Sequence, residues 1–136
     1  VTTLGMPPTP DATVSAVRHS PVVSVGASDT LWDAWQLMFV SGLRHLAVLD
    51  EAGNCIGLLS DRAILTEIPL TEERLTTRLV TDIMAVPGCI SDDTTTHEAA
   101  VLMARHSVEA LPVVNADGQL TGLITAIDLV DWVARH

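Results

Sequence analysis

Sliding the chain along itself by 65 residues brings two stretches into register, and this self-match constrains the fold more than any other feature of its 136 residues. Over residues 30–60 against 95–125, nine positions are identical: Thr30/Thr95, Ala34/Ala99, Leu37/Leu102, Met38/Met103, Leu46/Leu111, Val48/Val113, Gly53/Gly118, Gly57/Gly122 and Leu58/Leu123. Chance would give about two. Several other pairs are conservative: Asp33/Glu98, Asp50/Asn115, Leu59/Ile124 and Ser60/Thr125. The chain is an internal duplication, so any element assigned to one copy must be defensible in the other.

The second copy shows the unit most clearly. Leu111, Pro112, Val113 and Val114 read as a strand, and Asn115-Ala116-Asp117-Gly118 as a hairpin turn. Gly122 to Thr125 reads as a second short strand, with an apolar helical pattern starting at once behind it. Upstream, Thr30 with Asp33 and Thr95 with Glu98 each place a hydroxyl three residues before an acid, the signature of a helix N-terminus. The spacing predicts helices over 31–41 and 96–106, stopping near Gly42 and Ser107. Pro21 to Val25 reads as a first strand, Val14 to Arg18 as a lead-in turn, and Val80 to Met84 as its counterpart before the second copy. Each copy is thus β-α-β-β-α. Pro69 ends the last helix of the first copy, and Leu75, Leu79 and Ile83 suggest a helical approach to the second.

These readings divide the chain into a Pro-rich leader (1–13), a first repeat (14–68), a connecting segment (69–79) and a second repeat (80–136). A unit of about 60 residues with few large side chains buries its sheet only against its twin. The expected fold is therefore α/β (α+β), two pseudosymmetric units packed sheet to sheet in one module.

Charge limits function. The net charge is −10, there is no lysine, and all seven basic residues are arginine. A nucleic-acid surface needs a basic stripe to displace counterions, and none is present. A small anion held by one or two arginines remains compatible. No apolar run approaches the 18 residues of a membrane span, and no basic-then-apolar signal segment is visible, so the expectation is a cytoplasmic protein. Cys55 and Cys89 stand at non-equivalent repeat positions and read as reduced, half-buried strand residues, not a disulfide or metal pair.

Ligand chemistry, if present, belongs at the strand-to-helix junction of Thr125 and Asp128. Thr-x-x-Asp is also a capping box, and Thr30 and Thr95 show that the chain uses this device structurally. Trp32, Trp35 and Phe39 form an aromatic stripe whose repeat-two equivalents are His97, Ala100 and Ala104. Core packing is one reading. The asymmetry points to a subunit interface, joined by Trp132 on the last helix. His97 and His106 read as surface histidines, not metal ligands. There is no phosphate-binding Gly-Lys-Ser/Thr loop, no Gly-x-Ser-x-Gly, and no nucleophile with a base, so no enzyme is expected.

The duplicated order of a Leu-Pro-Val-Val strand, an Asp/Asn-x-x-Gly turn and Gly-Leu-Ile-Thr-x-x-Asp entering a helix resembles the tandem cystathionine-β-synthase (CBS) domain pair, or Bateman module, over about residues 14–136. The resemblance implies a two-fold pseudosymmetric, non-catalytic sensor with ligand clefts between repeats, often paired into disc-like dimers. It needs no cofactor and binds adenosine-containing ligands: AMP, ADP, ATP, S-adenosylmethionine or sometimes NAD. Carried over by position, Asp128 would meet the ribose, Thr125 and the helix amides the phosphate, and Arg44 and His45 the phosphates from the other repeat. Gly88, Ile90, Ala110 and Pro112 would form an adenine slot, or are plain core. The first repeat departs from the pattern. Ser60 and Arg62 are followed by Ala63 where the ribose acid belongs, and Glu109 stands where the phosphate wants a cation. One live and one degenerate site is the expectation, in a homodimer with an unidentified protein partner. A ligand-free dimerisation or docking scaffold is the alternative.

Overall fold

The computed structural model describes residues 12–18 and 22–136. Most of the expected leader therefore lies outside the described residues, as does Pro21. Two three-stranded sheets form, in the orders β1-β2-β3 and β4-β5-β6. The first holds β1 (Ser24–Gly26), β2 (His45–Leu49) and β3 (Cys55–Ser60); the second holds β4 (Ile90–Ser91), β5 (Ala110–Val114) and β6 (Leu120–Thr125). In each, the first strand is parallel to the second and the second antiparallel to the third. A register shift recurs at the same repeat position, between Val48 and Leu49 and between Val113 and Val114. The first strand begins later than the sequence suggested, at Ser24, because only Ser24 to Gly26 meets β2 in register.

The helices are α1 (Leu31–Ser41), α2 (Asp61–Glu67), α3 (Glu72–Thr76), α4 (Thr96–His106) and α5 (Ala126–Arg135). The bounds of α1 and α4 are those the caps predicted. Thr30 accepts from the Asp33 amide and Asp33 returns the bond to the Thr30 amide. At Thr95 the hydroxyl accepts from the Glu98 amide at 3.1 Å. Loss of such a cap typically costs about 1 kcal/mol. Gly42 ends α1 in the left-handed region at φ 72°, and Ser107 ends α4 at φ 54° without glycine's freedom.

Strand alternation builds the layers. Leu46, Val48 and Leu59 face helices with Leu31, Ala34, Met38 and Ile64. Leu111, Val113 and Ile124 do the same with Ala99 and Met103. The intervening residues, Ala47 and Leu58 of one sheet and Ala110 and Leu123 of the other, meet in a third cluster between the sheets. The small residues there let the sheets approach. The order is helices, sheet, sheet, helices, with each fully buried Leu or Ile contributing about 1.5–3 kcal/mol. At the edge of this seam the chain entering repeat two runs antiparallel to β3. The Leu58 amide donates to Ala85 O at 2.9 Å, and the Ala85 amide donates to Leu58 O at 2.8 Å.

The lead-in segments are exchanged. Val14, in the lead-in of repeat one, is fully buried in the helix layer of repeat two. The Val14 amide donates to Thr94 O at 2.8 Å, and Arg18 Nε lies 3.3 Å from Asp92 Oδ1. Val80, in the lead-in of repeat two, is fully buried in the helix layer of repeat one, its amide donating to Asp29 O at 3.0 Å.

Candidate functional site

The two strand-to-helix junctions are built alike. Ser60 and Thr125 are both N-caps in extended conformation. The first helical amide of each helix reaches across to the residue before the neighbouring strand: Asp61 N donates to Arg44 O at 3.0 Å and Ala126 N to Glu109 O at 2.8 Å. The junctions therefore hold Arg44 and Glu109 at equivalent places. The caps differ in one respect. Thr125 Oγ1 accepts from the Asp128 amide at 3.1 Å, and Asp128 Oδ2 accepts from the Thr125 amide at 2.9 Å. Ser60 Oγ accepts from the Ala63 amide at 3.0 Å, but Ala63 has no carboxylate to return. The Thr-x-x-Asp pair is thus a complete capping box.

Two clefts flank the line of Arg44, His45 and Glu109, and all three residues line both. The first, of about 660 Å³, has Thr125, Ala126 and Ile127 on one side and Val22, Val23 and Leu43 on the other. The second, of about 730 Å³, has Ser60, Asp61, Arg62 and Ala63 facing Ser107 and Val108. Arg62 Nη1 spans it to Glu109 Oε1 at 3.0 Å. Both partners are largely exposed, so the pair contributes about 0–1 kcal/mol. Burial pushes the His45 imidazole below its ordinary value; Asp61 and Glu109 pull it back up, and Arg44 opposes them. At neutral pH His45 is an uncharged hydrogen-bonding group beside a permanent guanidinium.

Several expected positions fall elsewhere. Arg44 and His45 do share a cleft with Thr125, but Asp128 is one residue past the lining, with its carboxylate in the cap. Gly88, Ile90, Ala110 and Pro112 do not line this cleft among the described residues. Ile90 packs in the helix layer of repeat two, Ala110 in the seam, Pro112 is fully buried, and Gly88 turns at φ 83° on the surface. The apolar wall is Val22, Val23 and Leu123. The Thr125 junction faces Val22 and Val23, the segment just ahead of β1 in the opposite repeat. Glu109, assigned to the repeat-one site, borders both clefts.

The aromatic stripe is split. Trp32 and Trp35 pack partly buried against the repeat-one core, whereas Phe39, in the last turn of α1, is 85% exposed. Trp132 stacks on His136, with centroids 3.5 Å apart. Sequence reasoning missed the larger apolar surface. Ile127, Val130 and Val133 stand exposed along one side of α5. The i, i+3, i+6 spacing was the available signal. Among the described residues no group of three or more His, Cys, Asp or Glu is placed to hold a metal, and no helix is long and apolar enough to cross a membrane.

The family model described as CBS domain matches residues 14–70 and 80–135. The chain is 30% identical over 132 residues to a CBS domain-containing protein of Dictyostelium discoideum, covering 90% of this chain and 91% of that one. It is 29% identical over 110 residues to an inosine-5'-monophosphate dehydrogenase of Methanocaldococcus jannaschii, covering 80% of this chain and 21% of the enzyme. It therefore spans only about a fifth of that relative's length. The CBS domain pair of protein MJ0100, solved with 5'-methylthioadenosine and S-adenosyl-L-methionine, superposes with a TM-score of 0.80 at 18% identity, covering 93% of this chain and 98% of that one. The CBS domain of a bacterial CNNM/CorC family Mg2+ transporter, solved with ATP, gives 0.78 at 21% identity, covering 90% and 87%.

Proposed function

The chain belongs to the CBS domain family, as a tandem pair or Bateman module, and from that premise we propose that it is a non-catalytic sensor binding one adenosine-containing ligand per chain in the Thr125 cleft. CBS domains are typically regulatory modules. The observation that supports the reading is the convergence, in one cleft of about 660 Å³, of a capped helix N-terminus with Arg44 and His45 from the other repeat. Helix amides and a guanidinium suit phosphate or a carboxylate. Val22, Val23 and Leu123 offer an apolar face for a base. Asp128 supplies the acid for ribose hydroxyls, exchanging part of its cap for the ligand. The ligand class is AMP, ADP, ATP or S-adenosylmethionine, by analogy with what the related structures hold. Because the cleft draws on both repeats, occupancy would shift their mutual angle, and a protein partner would read that shift.

The Ser60 cleft is the weaker candidate in this reading. Ala63 removes the acid, and Arg62 is turned to Glu109. The exposed apolar side of α5 supports a homodimer. A specific observation favours the rival reading, a ligand-free scaffold: Glu109 borders both clefts and sets a carboxylate near any phosphate.

A thermal-shift series on wild type and Asp128→Ala tests this, with AMP, ADP, ATP, S-adenosylmethionine and NAD. A ligand at about 100 times its Kd stabilises the native state by about 2.7 kcal/mol, or several degrees in Tm. The shift is compared within each variant, since Asp128→Ala also loses a cap. The expected result is one ligand that raises Tm for wild type and much less for the variant. Equal shifts in both remove the site assignment. No shift at millimolar concentration favours the scaffold.

A further inference from the structure

Cys55 and Cys89 occupy different positions in the two repeats, and the structure sets them side by side. Cys55 opens β3 in the first sheet, and Cys89 immediately precedes β4 in the second. The Leu58–Ala85 bridge fixes how these segments meet. Continued by three residues, its antiparallel register sets Cys55 opposite Gly88 and beside Cys89. The Cys89 thiol donates to Cys55 O at 3.7 Å, the Cys55 thiol donates to Gly57 O at 3.5 Å, and the two thiols interact electrostatically. Both cysteines are free. The repeat equivalents of the pair are Leu120 and Ser24, which line one cleft on the opposite side of the pseudo-two-fold. The juxtaposition is thus a property of the fold, and one of its two instances carries thiols.

We propose that Cys55 and Cys89 form a reversible disulfide that fastens repeat one to repeat two across the sheet seam. The oxidant class is a hydroperoxide. Cys89 is exposed, and Cys55 is half-buried with its thiol pushed up to about 12 by burial and by the Cys89 charge. Cys89 therefore meets the oxidant first. Its thiol first gives its proton to solvent; the thiolate sulfur attacks the peroxide, the O–O bond breaks, and a sulfenic acid and hydroxide result, the hydroxide taking up that proton to give water. The Cys55 sulfur then attacks the Cys89 sulfur, the S–S bond forms, and the sulfenic oxygen leaves as water with the Cys55 proton. Two thiols give two electrons and two protons, and one hydrogen peroxide becomes two waters. A dithiol reductant reverses the change by exchange. The bond closes a loop between residues 34 apart and ties the two sheets at the edge of their contact. It would hold the repeats at one mutual angle whatever ligand the clefts take.

The test uses the whole chain, reduced and then treated with stoichiometric hydrogen peroxide, with intact mass and thiol alkylation as readouts. The expected product is a single chain, not crosslinked to a second, lighter by two hydrogens, with neither cysteine alkylated and both restored by dithiothreitol. Its Tm should rise by about 10 °C, as a closed loop of this length implies. Cys89→Ser, which places a small polar group on an exposed site, should show no such rise. The proposal is overturned if both thiols remain alkylable, if oxygen adducts accumulate on Cys89, or if the bond forms only between chains. All three outcomes are read on the wild-type protein and do not depend on a variant folding.

Discussion

Gly57→Ala probes the seam directly. A Cβ at this buried position would lie 2.5 Å from Met84 Sδ, 2.9 Å from Ala85 O and 3.1 Å from Met84 Cγ. The thioether is the end of a flexible side chain and can swing aside at small cost. The Ala85 carbonyl cannot, because it is main chain and accepts the Leu58 amide at 2.9 Å. Relief therefore requires the chain entering repeat two to move off the edge of β3. Overpacking of this kind costs about 1–3 kcal/mol. Weakening the two bridging hydrogen bonds adds up to about 1 kcal/mol each. Alanine in place of glycine within a strand returns about 0.5–1 kcal/mol. The net expectation is a loss of about 2 kcal/mol. Urea unfolding measures it: at an m-value of about 2 kcal/mol/M the midpoint falls by about 1 M with m unchanged. Gly118→Ala is the control, since the left-handed backbone at φ 80° is strained for alanine but nothing lies within 4 Å of the added carbon. A Gly57→Ala protein as stable as wild type would refute the close approach of the two repeats at Ala85.

Two further outcomes are specific. His45 has a folded pKa below the unfolded value of 6.5, so as pH falls through 6.5 the unfolded chain takes up the proton first. Stability should therefore decline with falling pH from about 6.5 until the lowered folded value is passed, and in His45→Asn this part of the Tm-versus-pH curve should flatten. A curve unchanged by the substitution counts against the buried neutral imidazole. Asp50 and Asp82, held low mainly by backbone hydrogen bonds, act in a separate and more acidic window, where their contribution is lost as they protonate. Separately, Val130→Asp on α5 should convert a wild-type dimer to monomer in analytical ultracentrifugation at micromolar concentration. An unchanged mass, or a monomeric wild type, would remove α5 as the interface.

Local chemistry made much of the fold legible. The hydroxyl-to-acid spacings at Thr30 and Thr95 marked helix starts, and alternation with turn glycines gave the hairpins, because these features act over a few residues. The 65-residue repeat then required two like units and a shared core. Contacts across the pseudo-two-fold were less visible. Such an axis pairs a position in one repeat with a different position in the other, so comparing equivalent residues looks in the wrong place. That is why Val22 and Val23, not Gly88 and Ile90, wall the Thr125 cleft. It is also why Cys55 and Cys89, at non-equivalent repeat positions and read as no disulfide pair, nonetheless meet, the Cys89 thiol donating to Cys55 O at 3.7 Å. The aromatic stripe divides between the two readings: Trp32 and Trp35 lie partly buried over the core, while Phe39, in the terminal turn, is exposed.

The exchanged lead-ins bear on how such a molecule could have arisen. A polypeptide with one repeat alone would carry a valine with no socket of its own and a socket with no valine. Two such polypeptides would satisfy each other reciprocally, the lead-in valine of each entering the helix layer of the other. Joining them through the 69–79 segment turns that encounter from a bimolecular event into an intramolecular one, at an effective concentration set by a short tether. It leaves the same reciprocal grip in place. Severing the connector without removing any residue should then yield fragments that rejoin. Deleting either lead-in should leave a lasting gap in the opposite repeat.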